Sequence, residues 1–386
     1  MKILFVTYCR AMLGANLCMV QLIKELKEYY GVESFVLMPD VDDGMLHLVL
    51  EQEGIPYLIH SMKAWVVSKD TKYKRLRGIK YSLENNKNIN SISNILDKRT
   101  FDLVYSNNSV IQIGALLAEK WKKPHIWHVR EYARLHYDLE FCYSHSYVDK
   151  LFNKAKKVVG VSRDLTDYVN REYHLKRNAI CIYNGIYSTQ SARVFFNTNQ
   201  PLNFCYTGAL QAGKNQMELL QATKYLIEQK QSNFHVYLIG EGQDYAEQLK
   251  EFCKDNNLEQ YVSFLGFRND IDTLLKRMDV GVICSKSEAF GRVTVEYMLA
   301  SMPVIGASGA GTSEIVSSED VGFLYHSGSV VDLARYMHLL NSNRTMLCRM
   351  GSSAYRYARK RYTSQSNTRN IYGILNEIAS QHKNSI

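Results

Sequence analysis

The chain of 386 residues is too long for one ordinary hydrophobic core and has room for two domains of under about 200 residues each. Apolar residues make up 46% of it and charged residues 22%, a balance typical of a globular protein, which argues against intrinsic disorder. No window approaches eighteen uncharged apolar residues, which excludes a transmembrane helix. The net charge of +9 suits nucleic acid, an anionic membrane surface or anionic substrates as partners.

The first half alternates short apolar runs with longer helical patterns. The N-terminal "MKILFVTYC" is predicted to be a strand and not a signal peptide, because Arg10 follows it and no small-residue cleavage pattern does. A helical pattern covers 17–30, and further strands are predicted at 33–39, 101–107, 125–129, 157–162 and 179–185. This alternation favours a parallel sheet with both faces covered.

The alternation stops at 186–202, a polar stretch that ends in Pro201 and is predicted to be a linker. It then restarts, with strands predicted at 203–210, 234–240, 262–267, 280–285 and 303–308. We therefore predict an α/β protein of two Rossmann-like domains whose parallel sheets face a central cleft. Ligands of such sheets bind outside the carboxyl ends of the strands.

The eight cysteines include no C-x-x-C pair, and several lie inside apolar runs. We expect these cysteines to be buried free thiols in a reducing, cytoplasmic compartment. Zinc would need closely spaced ligands, and no metal site is predicted.

The stretch "EAFGRVTVE" at 288–296 follows the predicted strand 280–285. A helix is expected to begin near Arg292 or Val293 and to end before Pro303. Glu288 then lies in a loop at a strand end, and Glu296 lies in the first turns of the helix, so that both can face one cleft.

This arrangement suits a nucleotide-sugar. Gly291 lets the backbone approach a ligand closely, and the unpaired N–H groups of the helix start suit a phosphate. Glu288 can accept hydrogen bonds from sugar hydroxyls, and Glu296 can bind a ribose diol. The alternative is a helix start that acidic residues merely stabilise.

The stretch resembles the E-x7-E motif of the family-4 (group 1) retaining glycosyltransferases, which have the GT-B fold. The resemblance continues through "SKSEAFGRVTVEYMLASMPVIGASGAGTSEIV" and is more specific in the second half of the chain. Other segments in the order and spacing of the family are "VVGVSRDL" (158–165), "IYNGI" (182–186), "LIGEGQ" (238–243), "VSFLGFRNDI" (262–271) and "MDVGVICSKSE" (278–288).

The resemblance implies roles for particular residues. Lys214 would bind the diphosphate and stabilise the leaving group, Glu288 would contact the donor sugar, and His128 would hydrogen-bond that sugar from the opposite wall. Glu296 would bind the ribose, while Phe267 and Arg268 would flank the base. The remaining donor-binding residues are Gly14, Gly208, Phe290, Gly291, Arg292 and Val293.

Two departures from the family pattern stand out. Ala209 replaces an arginine that usually follows Gly208, so one expected phosphate-binding cation is missing, and Arg292 or Arg130 is the candidate substitute. At the N-terminus the family's Gly-Gly-Ala-Glu is Leu-Gly-Ala-Asn at 13–16.

For the whole molecule the resemblance implies residues 1–190 as the acceptor-side domain, 191–365 as the donor-side domain, and 366–386 as a C-terminal helix that crosses back. It implies metal-independent, retaining hexosyl transfer without a cofactor, from a UDP- or GDP-sugar to a glycan or lipid-linked acceptor, in bacterial surface polysaccharide synthesis. The "DVD" at 40–42 resembles a metal-binding motif of a different glycosyltransferase fold, but its context favours a solvated turn.

Residues 63–80 hold seven Lys/Arg and one Asp. This segment is either a solvated charge run or a basic amphipathic helix on an anionic membrane, at the inner face of the cell membrane. No nucleic-acid-binding module is recognised. The apolar residues near one helical face are Tyr73, Leu76, Ile79 and Leu83, with Trp65 upstream.

Three rival functions remain. A dinucleotide-dependent oxidoreductase is disfavoured, because the first strand–helix turn has one glycine and no G-x-G-x-x-G. A sugar-nucleotide epimerase of similar shape would release a changed nucleotide-sugar without an acceptor. A non-catalytic nucleotide- or membrane-binding relative is the third, and Ala209 is the feature that favours it.

Overall fold

A computed structural model describes residues 1–41, 44–133, 138–188, 191–193 and 200–383. The chain forms two compact units. The first comprises Met1–Gly185 together with Ser364–Ile386, and the second comprises Ile186–Thr363.

The first unit is built on a seven-stranded parallel sheet of order β3-β2-β1-β5-β6-β8-β9, beside a two-stranded antiparallel ribbon of β4 and β7. Its strands are β1 (Lys2–Val6), β2 (Glu33–Pro39), β3 (Tyr57–His60), β4 (Val66–Ser68), β5 (Leu103–Ser106), β6 (His125–Val129), β7 (Leu139–Phe141), β8 (Lys157–Gly160) and β9 (Ile180–Cys181). Its helices before the second unit are α1 (Gly14–Tyr30), α2 (Leu46–Gln52), α3 (Lys74–Ile95), α4 (Ile113–Trp121), α5 (His145–Lys154) and α6 (Arg163–Glu172).

The second unit has a six-stranded parallel sheet of order β12-β11-β10-β13-β14-β15. Its strands are β10 (Leu202–Thr207), β11 (Phe234–Ile239), β12 (Val262–Gly266), β13 (Val280–Ile283), β14 (Val304–Ala307) and β15 (Gly322–Tyr325). Its helices are α7 (Gln216–Glu228), α8 (Asp244–Asp255), α9 (Ile271–Leu275), α10 (Arg292–Leu299), α11 (Ala310–Ile315), α12 (Val330–Ser342) and α13 (Arg344–Arg361).

The C-terminal helix, α14 (Ser364–Lys383), belongs to the first unit. It packs on α1, where the rings of Tyr30 and Tyr372 stack with centroids 3.8 Å apart. Thr368 Oγ1 donates a 2.8 Å hydrogen bond to Oε2 of Glu25, whose side chain is buried. These contacts make the last helix part of the first unit's core.

Apolar runs form the central strands because both faces of each sheet are covered. In the first unit one face of the sheet packs against α1 and α14, and the other packs against α3 and α4. In the second unit a single cluster joins the strands to α7, α8, α12 and α13. The last predicted strand of the first half, at 179–185, pairs over only two residues, Ile180–Cys181.

Trp65 lies in an aromatic cluster and not on the surface. Its ring stacks on Trp127 with centroids 5.8 Å apart and is fully buried.

All eight cysteines are free thiols. Within the described residues no helix is long and apolar enough to cross a membrane, and no group of three or more His, Cys, Asp or Glu side chains could hold a metal ion.

Candidate active site

Two glycines shape the loops at the carboxyl ends of β10 and β11. Gly208 and Gly240 have φ of 144° and 148°, values that side-chain-bearing residues rarely adopt. A Cβ on Gly240 would lie 2.0 Å from the carbonyl oxygen of Gly208, so the two backbones meet closely. Gly208 therefore fixes the path of the loop that leads to Lys214.

Lys214 ends a short 3-10 turn, Ala212–Lys214, directly before α7. Its Nζ donates a hydrogen bond to Oε1 of Glu288, and the two side chains are 29% and 20% exposed. The loop of Glu288 is tied down by the N–H of Gly311, which donates to the Glu288 carbonyl oxygen over 2.9 Å. The structure thus brings together two predicted site residues from the loops after β10 and β13.

Helix α10 begins at Arg292, as predicted, with Gly291 as its N-cap at φ 96°. No side chain caps this helix start and no acidic residue lies in its first turn. The first backbone N–H groups of a helix point along its axis beyond its N-terminus, so the start of α10 suits an anionic ligand. The Phe290 side chain is buried against Tyr362, with ring centroids 5.7 Å apart, and anchors the loop.

Glu296 lies one turn into α10 and pairs with Arg292, with Nη2 and Oε1 3.0 Å apart. Both side chains are 26% exposed, so both carboxylates of the "EAFGRVTVE" stretch are partly accessible and each is matched by a cation. Phe267 and Arg268 follow β12, at the edge of the same sheet. Phe267 is 66% exposed and Arg268 pairs with Asp270, their Nη2 and Oδ2 atoms 2.8 Å apart.

The sequence reasoning missed two buried residues at the start of α7. Glu218 accepts hydrogen bonds from Asn215 Nδ2 (2.8 Å), Tyr325 Oη (2.9 Å) and the N–H of Gly328 (2.7 Å). Gln216 donates from Nε2 to the carbonyl oxygen of Ala209 over 2.8 Å. Together they hold the turn that carries Lys214; the only signal in the sequence is an acidic residue in a first helical turn.

In the first unit His128 and Arg130 lie at the carboxyl end of β6, and both are buried. Arg130 donates from Nε to Asn107 Oδ1 (2.8 Å) and from Nη1 to Asn184 Oδ1 (2.6 Å). Asn184 belongs to the "IYNGI" segment, and Asn107 follows β5. His128 is hydrogen-bonded to Tyr105, since the Tyr105 Oη lies 2.5 Å from the His128 Nδ1.

Gly14 begins α1, next to the same cluster, because Asn107 Nδ2 donates to the carbonyl oxygen of Ala15 over 3.1 Å. Asn16, which stands where the family has Glu, is fully buried. It accepts from Thr7 Oγ1 (2.6 Å) and donates to the carbonyl oxygen of Ala11 (2.8 Å). This residue therefore holds the loop before α1 in shape.

Asn108 is buried too: it accepts from the N–H of Val110 (2.7 Å) and donates to Glu131 Oε1 (2.6 Å). It shapes the loop after β5. Of the "DVD" segment, Asp40 is exposed and Asp42 lies outside the described residues.

Two α/β units with parallel sheets, each carrying polar loops at its strand ends, place this protein in the class of α/β folds whose ligands bind outside the carboxyl ends of the strands. The family Glycosyltransferase Family 4 matches residues 13–190, and the family Glycosyl transferases group 1 matches residues 189–357. The chain belongs to the group 1, family 4 glycosyltransferases.

Relatives and solved structures agree with this assignment. An uncharacterized glycosyltransferase of Methanocaldococcus jannaschii is 28% identical over 74% of this chain and 78% of the relative. The UDP-Gal:α-D-GlcNAc-diphosphoundecaprenol α-1,3-galactosyltransferase of Escherichia coli is 32% identical over 31% of this chain and 32% of its own. Anabaena HepE, solved with UDP and glucose, is 23% identical with a TM-score of 0.76 over 97% of this chain and 99% of its own. The fold is therefore GT-B, as predicted.

Proposed function

We propose that this protein is a retaining hexosyltransferase that moves a sugar from a nucleoside-diphosphate sugar to a lipid-linked glycan in bacterial surface polysaccharide synthesis. The observation that carries the proposal is the pairing of Lys214 with Glu288 in the same unit as the uncapped start of α10, which bears Glu296. The cation and the uncapped helix start match the diphosphate of such a donor, and the two carboxylates match its two sugars.

The second unit, on this proposal, binds the donor. The diphosphate takes the N–H groups at Gly291, Arg292 and Val293 together with Lys214, while Glu296 binds the ribose and Glu288 the transferred sugar. Phe267 and Arg268 flank the base, and Gly208 lets the backbone approach the donor. UDP is the first candidate over GDP, since HepE was solved with UDP and the E. coli relative is named for UDP-Gal.

The chemistry needs no resident cofactor or metal in this scheme. The bond between the anomeric carbon and the diphosphate oxygen breaks, and the acceptor oxygen bonds to that carbon on the same face. The acceptor proton passes to the departing phosphate oxygen. The transition state has oxocarbenium character, and the growing charge on the diphosphate is stabilised by Lys214 and the amides of the helix start. Glu288 orients the sugar and does not attack it.

The first unit takes the acceptor, and His128 and Gly14 contribute contacts to the donor sugar.

For the cation missing at Ala209 we propose Arg292 as the substitute. It lies at the helix start in the same unit, whereas Arg130 is held by Asn107, Asn184 and His128. Arg292→Ala should lower turnover about 100-fold or more if it stabilises transition-state charge, while Arg335→Ala should not. Steady-state kinetics check this, and a loss of a few-fold would assign the missing charge elsewhere.

A lipid-linked acceptor would bring the protein to the inner face of the cell membrane as a peripheral protein. Support comes from α3 and the residue before it, where four large apolar side chains are exposed beside exposed Arg75, Arg77 and Lys80. The four are Tyr73 (78%), Leu76 (64%), Ile79 (60%) and Leu83 (61%). Apolar and basic groups on one helix fit an anionic lipid surface.

A thermal-shift panel with UDP, GDP, ADP, CMP, NAD and their sugar conjugates tests the donor class. A ligand that binds only the folded state at 100 times its Kd adds about 2.7 kcal/mol, which is easily measured. We expect UDP or a UDP-sugar to raise the melting temperature, Glu296→Ala to abolish the rise, and Glu319→Ala, an exposed control, to keep it.

If no nucleotide raises the melting temperature of the folded protein, the cation missing at Ala209 would favour the non-catalytic alternative over the enzyme. An epimerase would instead convert the sugar of the nucleotide-sugar with no acceptor present, which product analysis detects directly.

A further inference from the structure

His128 receives two hydrogen-bond donors on one ring nitrogen. Tyr105 Oη lies 2.5 Å and Arg130 Nη2 lies 3.3 Å from Nδ1. The imidazole is fully buried, and its other nitrogen, Nε2, has no partner among the described residues. A buried polar atom without a partner is unusual in a native fold and calls for an explanation.

Both neighbours can donate to Nδ1, and for Arg130 donation is the only role possible. A guanidinium has only N–H groups and cannot accept a hydrogen bond. Burial raises the pKa of Tyr105, so its phenol keeps its proton across the physiological range. The Arg130 N–H at Nδ1 therefore requires a lone pair there, which leaves the protonated Tyr105 phenol as a second donor to the same atom. Because a neutral imidazole carries one proton, that proton must lie on Nε2.

The two donors are themselves held in place. Arg130 is fixed through Nε and Nη1 by Asn107 and Asn184. The Tyr105 ring packs on Phe5, with centroids 4.9 Å apart. β5 and β6 pair in register, so the strands that carry the phenol and the imidazole cannot slide past one another.

We propose that Tyr105 and Arg130 are positioning residues that fix His128 as the neutral Nε2–H tautomer, which makes it a permanent hydrogen-bond donor and not an acid–base group. In the proposed function, on which this part rests, any atom of the nucleotide-sugar that reaches Nε2 must be an acceptor, such as a hydroxyl or phosphate oxygen. A tautomer chosen in advance removes the cost of orienting this donor when the ligand binds.

The two groups that donate to Nδ1 oppose protonation of the ring. Arg130 contributes a positive charge and Tyr105 a phenol O–H. Asn107 and Asn184, which accept hydrogen bonds from Arg130, are neutral amides. On the other side β8 places Val159 opposite His128. Burial, and then the charge of Arg130, hold the pKa of His128 well below its usual value. His128 should therefore stay neutral throughout about pH 5 to 8, the interval in which an ordinary histidine titrates.

The test is long-range 1H–15N NMR on the full chain labelled with 15N-histidine, without any ligand. His128→Gln assigns the signals of His128 by their loss. We expect a proton-bearing Nε2, an unprotonated Nδ1, and no titration between about pH 5 and 8. A proton on Nδ1, a mixture of tautomers, or titration inside that interval would overturn the inference.

Tyr105→Phe separates positioning from packing, since the phenyl ring keeps the contact with Phe5. We expect part of the His128 population to move its proton to Nδ1, because only the longer contact from Arg130 remains. Tyr147→Phe, which removes a phenol bonded to Gln112 in the same unit, should leave the tautomer unchanged. An unchanged tautomer in Tyr105→Phe would refute the role of Tyr105. Because no nucleotide is present, failure here is distinct from failure of the donor-binding test.

Discussion

Charge compensation is the main feature of the candidate site in the second unit. Lys214 and Arg292 are each paired with one of the two carboxylates of the 288–296 stretch. Half-buried pairs of this kind satisfy both charges while the side chains remain partly exposed to a ligand. Under the proposed function, a diphosphate that binds there would compete with Glu288 for Lys214, so that ligand binding would break the ion pair.

Lys214→Ala should lower kcat by about 100- to 1,000-fold, the usual cost of removing one group that stabilises transition-state charge. Lys224→Ala is the matched control, because Lys224 lies on α7 close behind Lys214 and makes an exposed pair with Glu228. Steady-state kinetics with the donor found by thermal shift provide the measurement. Equal activity of the two variants would remove Lys214 from the mechanism.

Two buried histidines make stability depend on pH. Burial lowers the pKa of His125 to about 3, and the pKa of His128 is also held low. In the unfolded chain a histidine titrates near 6.5, so below that pH the unfolded state binds protons that the native state does not. The free energy of unfolding should therefore fall between about pH 6.5 and 5, by up to about 1.4 kcal/mol per pH unit for each histidine.

Urea denaturation at a series of pH values measures this slope. His125→Gln should flatten it, since one of the two groups is gone, whereas His338→Gln should not, because His338 is exposed. A slope that is the same in all three proteins would contradict the assignment to buried histidines.

Helix α3 combines two different surfaces. Its later part is buried through Asn85, Ile89 and Ile92, and its earlier part carries the exposed apolar stripe. Gly78 packs directly against the backbone of Cys142, because a Cβ on Gly78 would lie 2.3 Å from the Cys142 carbonyl oxygen. This close contact holds the helix with its apolar stripe outward. A rigid helix can present such a stripe without an ordering cost.

Vesicle sedimentation tests this surface. The protein should sediment with anionic vesicles, and changing Leu76, Ile79 and Leu83 together to Ser should weaken binding by about tenfold or more, since each buried apolar side chain contributes about 1.5–3 kcal/mol at full burial. Ile95→Ser is the control, because Ile95 is 57% exposed at the other end of the same helix. No binding to anionic or neutral vesicles would end the membrane proposal.

Local patterns predicted the elements better than the contacts between them. The strand at 125–129 and the helix start at Arg292 were readable from apolar runs and from the stop at Pro303. The Tyr105–His128 contact was not, because it depends on which strands become neighbours in the sheet. Trp65 was misread for the same reason: its basic flanks indicate a surface, while its partners Trp127 and Phe152 are distant in sequence.

The whole molecule has the GT-B fold that the E-x7-E resemblance implied, and the C-terminal helix closes the first unit. Leu375 on α14 is fully buried in the core of that unit. Leu375→Ala should lower the free energy of unfolding of the first unit by about 2–5 kcal/mol. Gly373→Ala, on the same helix with open space around its Cβ, is the control.

Tryptophan fluorescence isolates this effect, because all three tryptophans, Trp65, Trp121 and Trp127, lie in the first unit. The urea transition seen by fluorescence should move to lower concentration in Leu375→Ala and not in Gly373→Ala. A shift of only a few tenths of a kcal/mol would mean that α14 is not needed for the first unit's core.

The C-terminal helix also sets the order in which the protein can be completed. The first unit is interrupted in sequence by the second, and the chain passes between them twice: at Gly185–Ile186, and again at Thr363–Ser364. A ribosome delivers Glu25 and Tyr30 long before Thr368 and Tyr372, their partners on α14. During synthesis, the inserted unit can therefore finish folding while the unit that began first is still waiting for its last helix.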